Sequence, residues 1–175
     1  MFRCLVVLWA AFASLAAGAA PPLLTPNELD ALRKSKSVRV VDIRDVDAYA
    51  AKHIPGAVSA PYDEWRGPSS NPGELPDLAL LAPLVRRLGL HPAVHAVVVS
   101  SGEDVSDFGA AARVYWSLKV LGLTELSILN GGLEAWEAAR LPQGAAPVAV
   151  QASTFVPTLD RSLIASRDDV RALIA

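Results

Sequence analysis

Apolar and polar residues alternate between two periods along this chain, and the changes of period mark its elements. "VRVVDI" (38–43) is β-branched and mostly apolar, as is "HAVVVS" (95–100), so both read as buried central strands. "LSILN" (126–130) reads as a third strand, and a short one is expected around Val58. Between them the period lengthens. Thr25-Pro26-Asn27-Glu28 is a capping box with proline at the first helical position, followed by Leu29 and Leu32 and a basic end at Arg33, Lys34 and Lys36. "DVDAYAAKH" gives one or two helical turns. In "DLALLAPLVRRLGL", Leu78, Leu81, Leu84, Val85 and Leu88 share one face, and Gly89 stops the helix. "DFGAAARVYWSLKVLG" predicts a helix from Asp107 to Gly122 with Asp107 as its N-cap, and Gly131-Gly132 turns the last strand into the helix "LEAWEAA".

Strands alternating with helices of about ten residues imply a parallel sheet with helices on both faces, an α/β fold. Ligands of such sheets bind at the carboxyl ends of the strands. Arg44-Asp45, Ser101-Gly102 and Asn130-Gly131-Gly132 are expected there. Residues 66–76, "RGPSSNPGELP", hold three prolines and two glycines and predict an exposed loop. From residue 143 the period is lost in alanine- and proline-rich sequence, an extended connector to residue 165. Phe155, Val156, Leu159, Leu163 and Ile164 make it too apolar for a solvated linker, so it is expected to pack along the domain. At 166–175, "SRDDVRALIA" opens an approximate capping box at Ser166 to Asp169 and echoes "TPNELDALRK".

Composition adds limits. The 175 residues are 52% hydrophobic, ample for one core, and the net charge of −2 gives no footprint for nucleic acid. Arg3 followed by the apolar run Leu5 to Gly18, with small residues at Ala17 and Ala19, predicts an export signal over 1–19. The run falls short of the roughly 20 residues of a membrane span, so no stable membrane anchor is expected. Cys4, the only cysteine, lies inside that segment, so the processed chain is expected to have no thiol, disulfide or cysteine metal site. His91 and His95 lack a third ligand, and no metal or cofactor is expected. Ser101 follows a strand, but without a Gly-x-Ser-x-Gly elbow a serine hydrolase is not expected. Trp116 and Trp136 sit at helical core spacing, whereas Trp65 in "YDEWRG" fits either local packing or a contact to a second domain.

Two segments carry a resemblance. "YAAKHIPGAVSAP" (49–61) and "LNGGLEAW" (129–136) resemble the two rhodanese signatures, and with "VVDIRD" they span residues 25 to 142 in the family's order. Ala60 and Leu133 depart from the usual large aliphatic and aromatic residues. "DFGAAARVYWSLKVLG" and "TLDRSL" look most like the tandem sulfurtransferases that act on thiosulfate or 3-mercaptopyruvate. The resemblance implies a rhodanese-like domain over 23–142, and beyond the connector the start of a truncated second unit at 166–175. It also implies that His53 is a structural turn residue.

In an active member a cysteine opens the loop after "VVVS", where backbone N–H groups and a helix end lower its pKa and hold the sulfur anion. By register that position is Ser101 here, in a longer loop of Ser101, Gly102, Glu103, Asp104 and Asp107 with Arg44 nearby. A serine lacks a thiol's acidity and forms no stable persulfide equivalent, and the carboxylates would repel thiosulfate. A vestigial active loop is therefore expected, in which Arg44 pairs with a loop carboxylate such as Asp104. The expectation is an exported, periplasmic, non-catalytic N-terminal half of a sulfurtransferase, whose partner is a second rhodanese domain. The alternative is a free-standing binding module with the same fold.

Overall fold

The computed structural model describes residues 20–35 and 37–174. The predicted export signal, with Cys4, lies outside the described residues. Among these residues five strands, β1 (Leu23–Leu24), β2 (Val38–Asp42), β3 (Val58–Ser59), β4 (His95–Val99) and β5 (Leu126–Leu129), form one parallel sheet in the order β1-β5-β4-β2-β3. Among the described residues six α-helices accompany them: α1 (Pro26–Leu32), α2 (Val46–Ala51), α3 (Leu78–Arg87), α4 (Val105–Val120), α5 (Gly132–Ala138) and α6 (Arg167–Ile174). The predicted α/β architecture is the one observed. β1 is an addition, since two residues carry no period. It joins the sheet edge through Leu24, whose carbonyl accepts from Asn130 N at 2.9 Å.

The continuous apolar runs of β2 and β4 follow from burial on both faces. Val40 pairs with Val97 in register, and both point with Val99 and Leu129 toward Leu29, Tyr49, Leu133 and Trp136. Val41 and its partner Val98 point the other way, with Ile128, into the core formed with Leu81, Val85, Val114 and Leu118. Helices α1, α2 and α5 supply the first face, and α3 and α4 the second.

Three aromatic positions separate here. Trp136 is fully buried as expected. Trp65 is also fully buried, and its Nε1 donates to Ala60 O at 3.2 Å, so it packs locally. Trp116 departs from the core expectation. It is only half-buried, with the Arg113 guanidinium 4.7 Å from its ring centre and its Nε1 donating to Leu163 O at 3.1 Å. The connector explains this, because residue 163 comes back across α4. Val148, Val150, Phe155 and Leu159 pack against the second core, and Asp160 N donates to Val120 O at 2.7 Å. The final helix, α6, buries no residue.

Candidate functional site: the loop after β4

β4 ends at Val99 and hands the chain to a five-residue turn, Ser100 to Asp104, before α4 begins. The N-terminal turn of α5 clamps it: Leu133 N donates to Ser100 O at 2.8 Å and Glu134 N to Ser101 O at 2.9 Å. Gly102 sits at φ +93°, and a Cβ there would stand 2.1 Å from Gly131 O. Only glycine lets the two turns close on each other.

The cap of α4 differs from the sequence expectation. The helix starts at Val105, two residues before Asp107, and its N-cap is Asp104, whose Oδ1 accepts from Ser106 N at 2.6 Å and Asp107 N at 3.1 Å. Asp107 closes the capping box from the other side and reaches back into the loop. Its Oδ2 accepts the Ser101 hydroxyl at 2.5 Å, Glu103 N at 2.9 Å and Asp104 N at 3.3 Å. The Ser101 hydrogen bond and the loop amides hold the Asp107 carboxyl below its ordinary range, against the opposing effect of burial. An internal carboxylate therefore receives the amides that the turn offers to an anion.

The expected pairing of Arg44 with Asp104 is overturned. The Arg44 guanidinium grips Asp42 instead, with Nη2 2.6 Å from Oδ2 and Nε 3.0 Å from Oδ1. Asp42 is fully buried and the Arg44 side chain is 8% exposed, so the pair is both desolvated and geometrically matched. Nη2 also donates to Lys52 O at 2.6 Å, tying the end of β2 to the end of α2. Asp42 closes β2 two residues before Arg44, so the shorter path wins. Sequence reading placed Asp42 only as a strand residue; the acidic-x-basic spacing at a strand end was its one signal.

An open cleft of about 430 Å³ lies beside the loop, lined by Arg44, Lys52, Ser101, Glu103, Glu134 and Glu137 among others. Its cations are committed: Arg44 to Asp42, and Lys52 to Glu137 at 2.5 Å. Glu103 and Glu134 find no ion pair among the described residues. The cleft thus presents carboxylates beside the loop, a surface that disfavours an anion. Ser101, Gly102, Glu103, Asp104 and Asp107 do come together, while Arg44 faces the cleft already occupied.

The histidines serve the frame. His53 is buried, its ring stacks on Tyr49 with centres 4.1 Å apart, and its Nδ1 lies 2.8 Å from Tyr49 O. His95 Nε2 lies 2.8 Å from Ser127 Oγ, whose own proton goes to Pro21 O. Burial lowers the His95 pKa, partly offset by Glu125. No group of side chains suited to a metal ion occurs among the described residues.

Comparison with known proteins agrees with this architecture. Residues 25–139 match the family described as the rhodanese-like domain. Thiosulfate sulfurtransferases of Cricetulus griseus and Bos taurus are each 36% identical over 124 residues, which is 70% of this chain and 41% of theirs. That of Pseudomonas aeruginosa is 36% identical over 118 residues, 66% of this chain and 42% of that protein. The chain spans about two fifths of the length of these relatives. The crystal structure of the Escherichia coli 3-mercaptopyruvate sulfotransferase SseA superposes with a TM-score of 0.73 at 22% identity, covering 86% of this chain and 60% of that one. The chain shares its fold with the 3-mercaptopyruvate enzyme, is similar in sequence to the thiosulfate sulfurtransferases, and belongs to the rhodanese-like domain family.

Proposed function

We propose that this domain is the non-catalytic half of an exported, periplasmic tandem rhodanese, working beside a second domain that supplies the nucleophile for thiosulfate or 3-mercaptopyruvate sulfur transfer. The observation that carries this reading is the occupied loop: Asp107 Oδ2 accepts from Ser101 Oγ, Glu103 N and Asp104 N. A sulfur-transferring loop needs those donors free for its anion, and a thiolate in the position that Ser101 resembles. Asp107 does not activate Ser101 as a general base. Its pKa is held below that of an ordinary carboxyl, so taking the proton of a serine hydroxyl is strongly uphill. The match to about two fifths of the thiosulfate sulfurtransferases supports a half-sized role.

Purified protein covering residues 20–175 is expected to transfer no sulfur from thiosulfate to cyanide above the uncatalysed background. It should also gain no sulfur atom by intact mass after incubation with thiosulfate. Turnover by this thiol-free chain would overturn the proposal. Ser101→Cys alone is expected to recover little activity, since Asp107 still holds the loop amides. Ser101→Cys with Asp107→Gly should recover more, and a family-like rate from the single substitution would show that the plug is unimportant.

A further inference from the structure

At the other end of the sheet, where β2 and β4 begin, an open cleft of about 610 Å³ is lined by Arg39, Gly89, His91, Gln151, Thr154 and Phe155 among others. The wall is built rather than incidental. Ser153 ties the connector to the end of α3, with its N donating to Arg86 O at 2.9 Å and its Oγ to Leu90 O at 2.7 Å. Gly89, at φ +68°, lets the connector approach. A Cβ there would lie 2.9 Å from Gln151 O and 3.4 Å from Arg39 Nη2. Arg39 extends from β2 into this corner. Its Nε is closed off from solvent without a hydrogen-bond partner, and Arg39 enters no ion pair among the described residues. Burial pulls its pKa below the ordinary value, the response of a cation that lacks a counter-charge. No carboxylate lines the cleft. Arg44, near the opposite end of β2, has by contrast a carboxylate against it.

A half-desolvated guanidinium without an anion is unfavourable, and a planar oxyanion is the group its fork matches best. We propose that this cleft binds a small ligand through an oxyanion, a carboxylate or a phosphate, with Arg39 as the charged anchor, Thr154 and Gln151 as neutral donors and Phe155 as the apolar wall. The site is independent of the loop after β4 and of the reading given to it.

The test is an amide chemical-shift titration of the whole protein with sodium acetate and, separately, inorganic phosphate, each at ionic strength held constant with sodium chloride. Saturating shifts are expected at Gly89, Gln151 and Thr154 and not at Gly102 to Asp104. Tighter acetate binding identifies a carboxylate ligand, and tighter phosphate binding a phosphorylated one. Arg39→Met, which keeps the apolar stem, should weaken the better anion at least tenfold. If that variant does not fold, Arg39→Lys replaces it, with a several-fold loss expected because the fork is gone. The proposal is overturned if neither anion saturates, if the shifts centre on Gly102 to Asp104, or if the folded Arg39 variant binds as tightly as the native protein.

Discussion

Helices α1 and α6 start from the same local code and come to opposite ends. In α1, Thr25 N donates to Glu28 Oε2 at 2.8 Å and Glu28 N to Thr25 Oγ1 at 3.4 Å. In α6, Ser166 N donates to Asp169 Oδ2 at 2.7 Å and Asp169 N to Ser166 Oγ at 3.1 Å. Both are complete capping boxes. Yet α1 drives Leu29 into the core with no exposed surface, while α6 leaves Leu173 and Ile174 more than four fifths exposed, at 86% and 82%. A cap specifies where a helix begins; the apolar face it presents must find a partner before the helix is stable. The loop after β4 adds a third outcome. Its capping box, Asp104 with Asp107, also recruits a residue from outside the helix, Ser101, and so becomes part of the sheet end.

The largest effect expected from this contrast is in packing. Leu29→Ala should lower the unfolding free energy by about 2–5 kcal/mol, as for other fully buried leucines. Leu173→Ala should stay within about 0.5 kcal/mol of the native protein. Urea unfolding of the two variants measures both, and a substantial cost for Leu173→Ala would break the comparison by showing that α6 is held by the domain.

Next in size is the cap at α4. Asp107→Ala removes the acceptor of the Ser101 hydroxyl and of two amides, and should cost about 1–2 kcal/mol at neutral pH. Because the folded pKa of Asp107 lies below its ordinary value of 3.8, this contribution is complete above that value and disappears as pH falls through the lower folded value. The stability gap between native protein and variant should therefore close below pH 3.8. A gap as large at about pH 3 as at about pH 7 would mean that Asp107 acts through packing alone.

The smallest effects are at the caps of the two matched helices. Thr25→Ala should cost about 1 kcal/mol, whereas Ser166→Ala should leave global stability unchanged. Hydrogen exchange sharpens the same point. Amides of residues 167–174 should exchange fast, since a helix this short is marginal in water. The Ser153 and Asp160 amides, bonded to Arg86 O and Val120 O, should be slow. Equal protection in the two segments would overturn the contrast.

The sequence was a good guide wherever one residue's environment was set by its near neighbours or by a sustained period. The strands at 38–43 and 95–100, the helix over Leu81 and Val85, and the caps at Thr25 and Ser166 were all legible. Long-range geometry was not. Trp116 has core spacing on α4, but the connector returns over it at Leu163 and leaves it half-buried. The family resemblance puts Arg44 near the loop, and so predicts a loop carboxylate as its partner. Asp42 captured it because it is closer, fully buried and bidentate. Asp107 had the composition of an N-cap, and its role as the filler of the loop depends on where Ser101 and the amides of Glu103 and Asp104 lie in space.

By itself, then, the sequence determined the alternation of strands and helices, the starts of the helices, and the residue types available at the strand ends. Periodicity and capping are properties of neighbouring residues, so they are written within a few positions of one another. Tertiary structure alone decided which carboxylate each cation meets, which aromatic is sealed, and that the donors of the loop after β4 turn inward. Those outcomes compare many candidate partners under different burial. Charge pairing is decided by distance and desolvation, which no local stretch of the chain records.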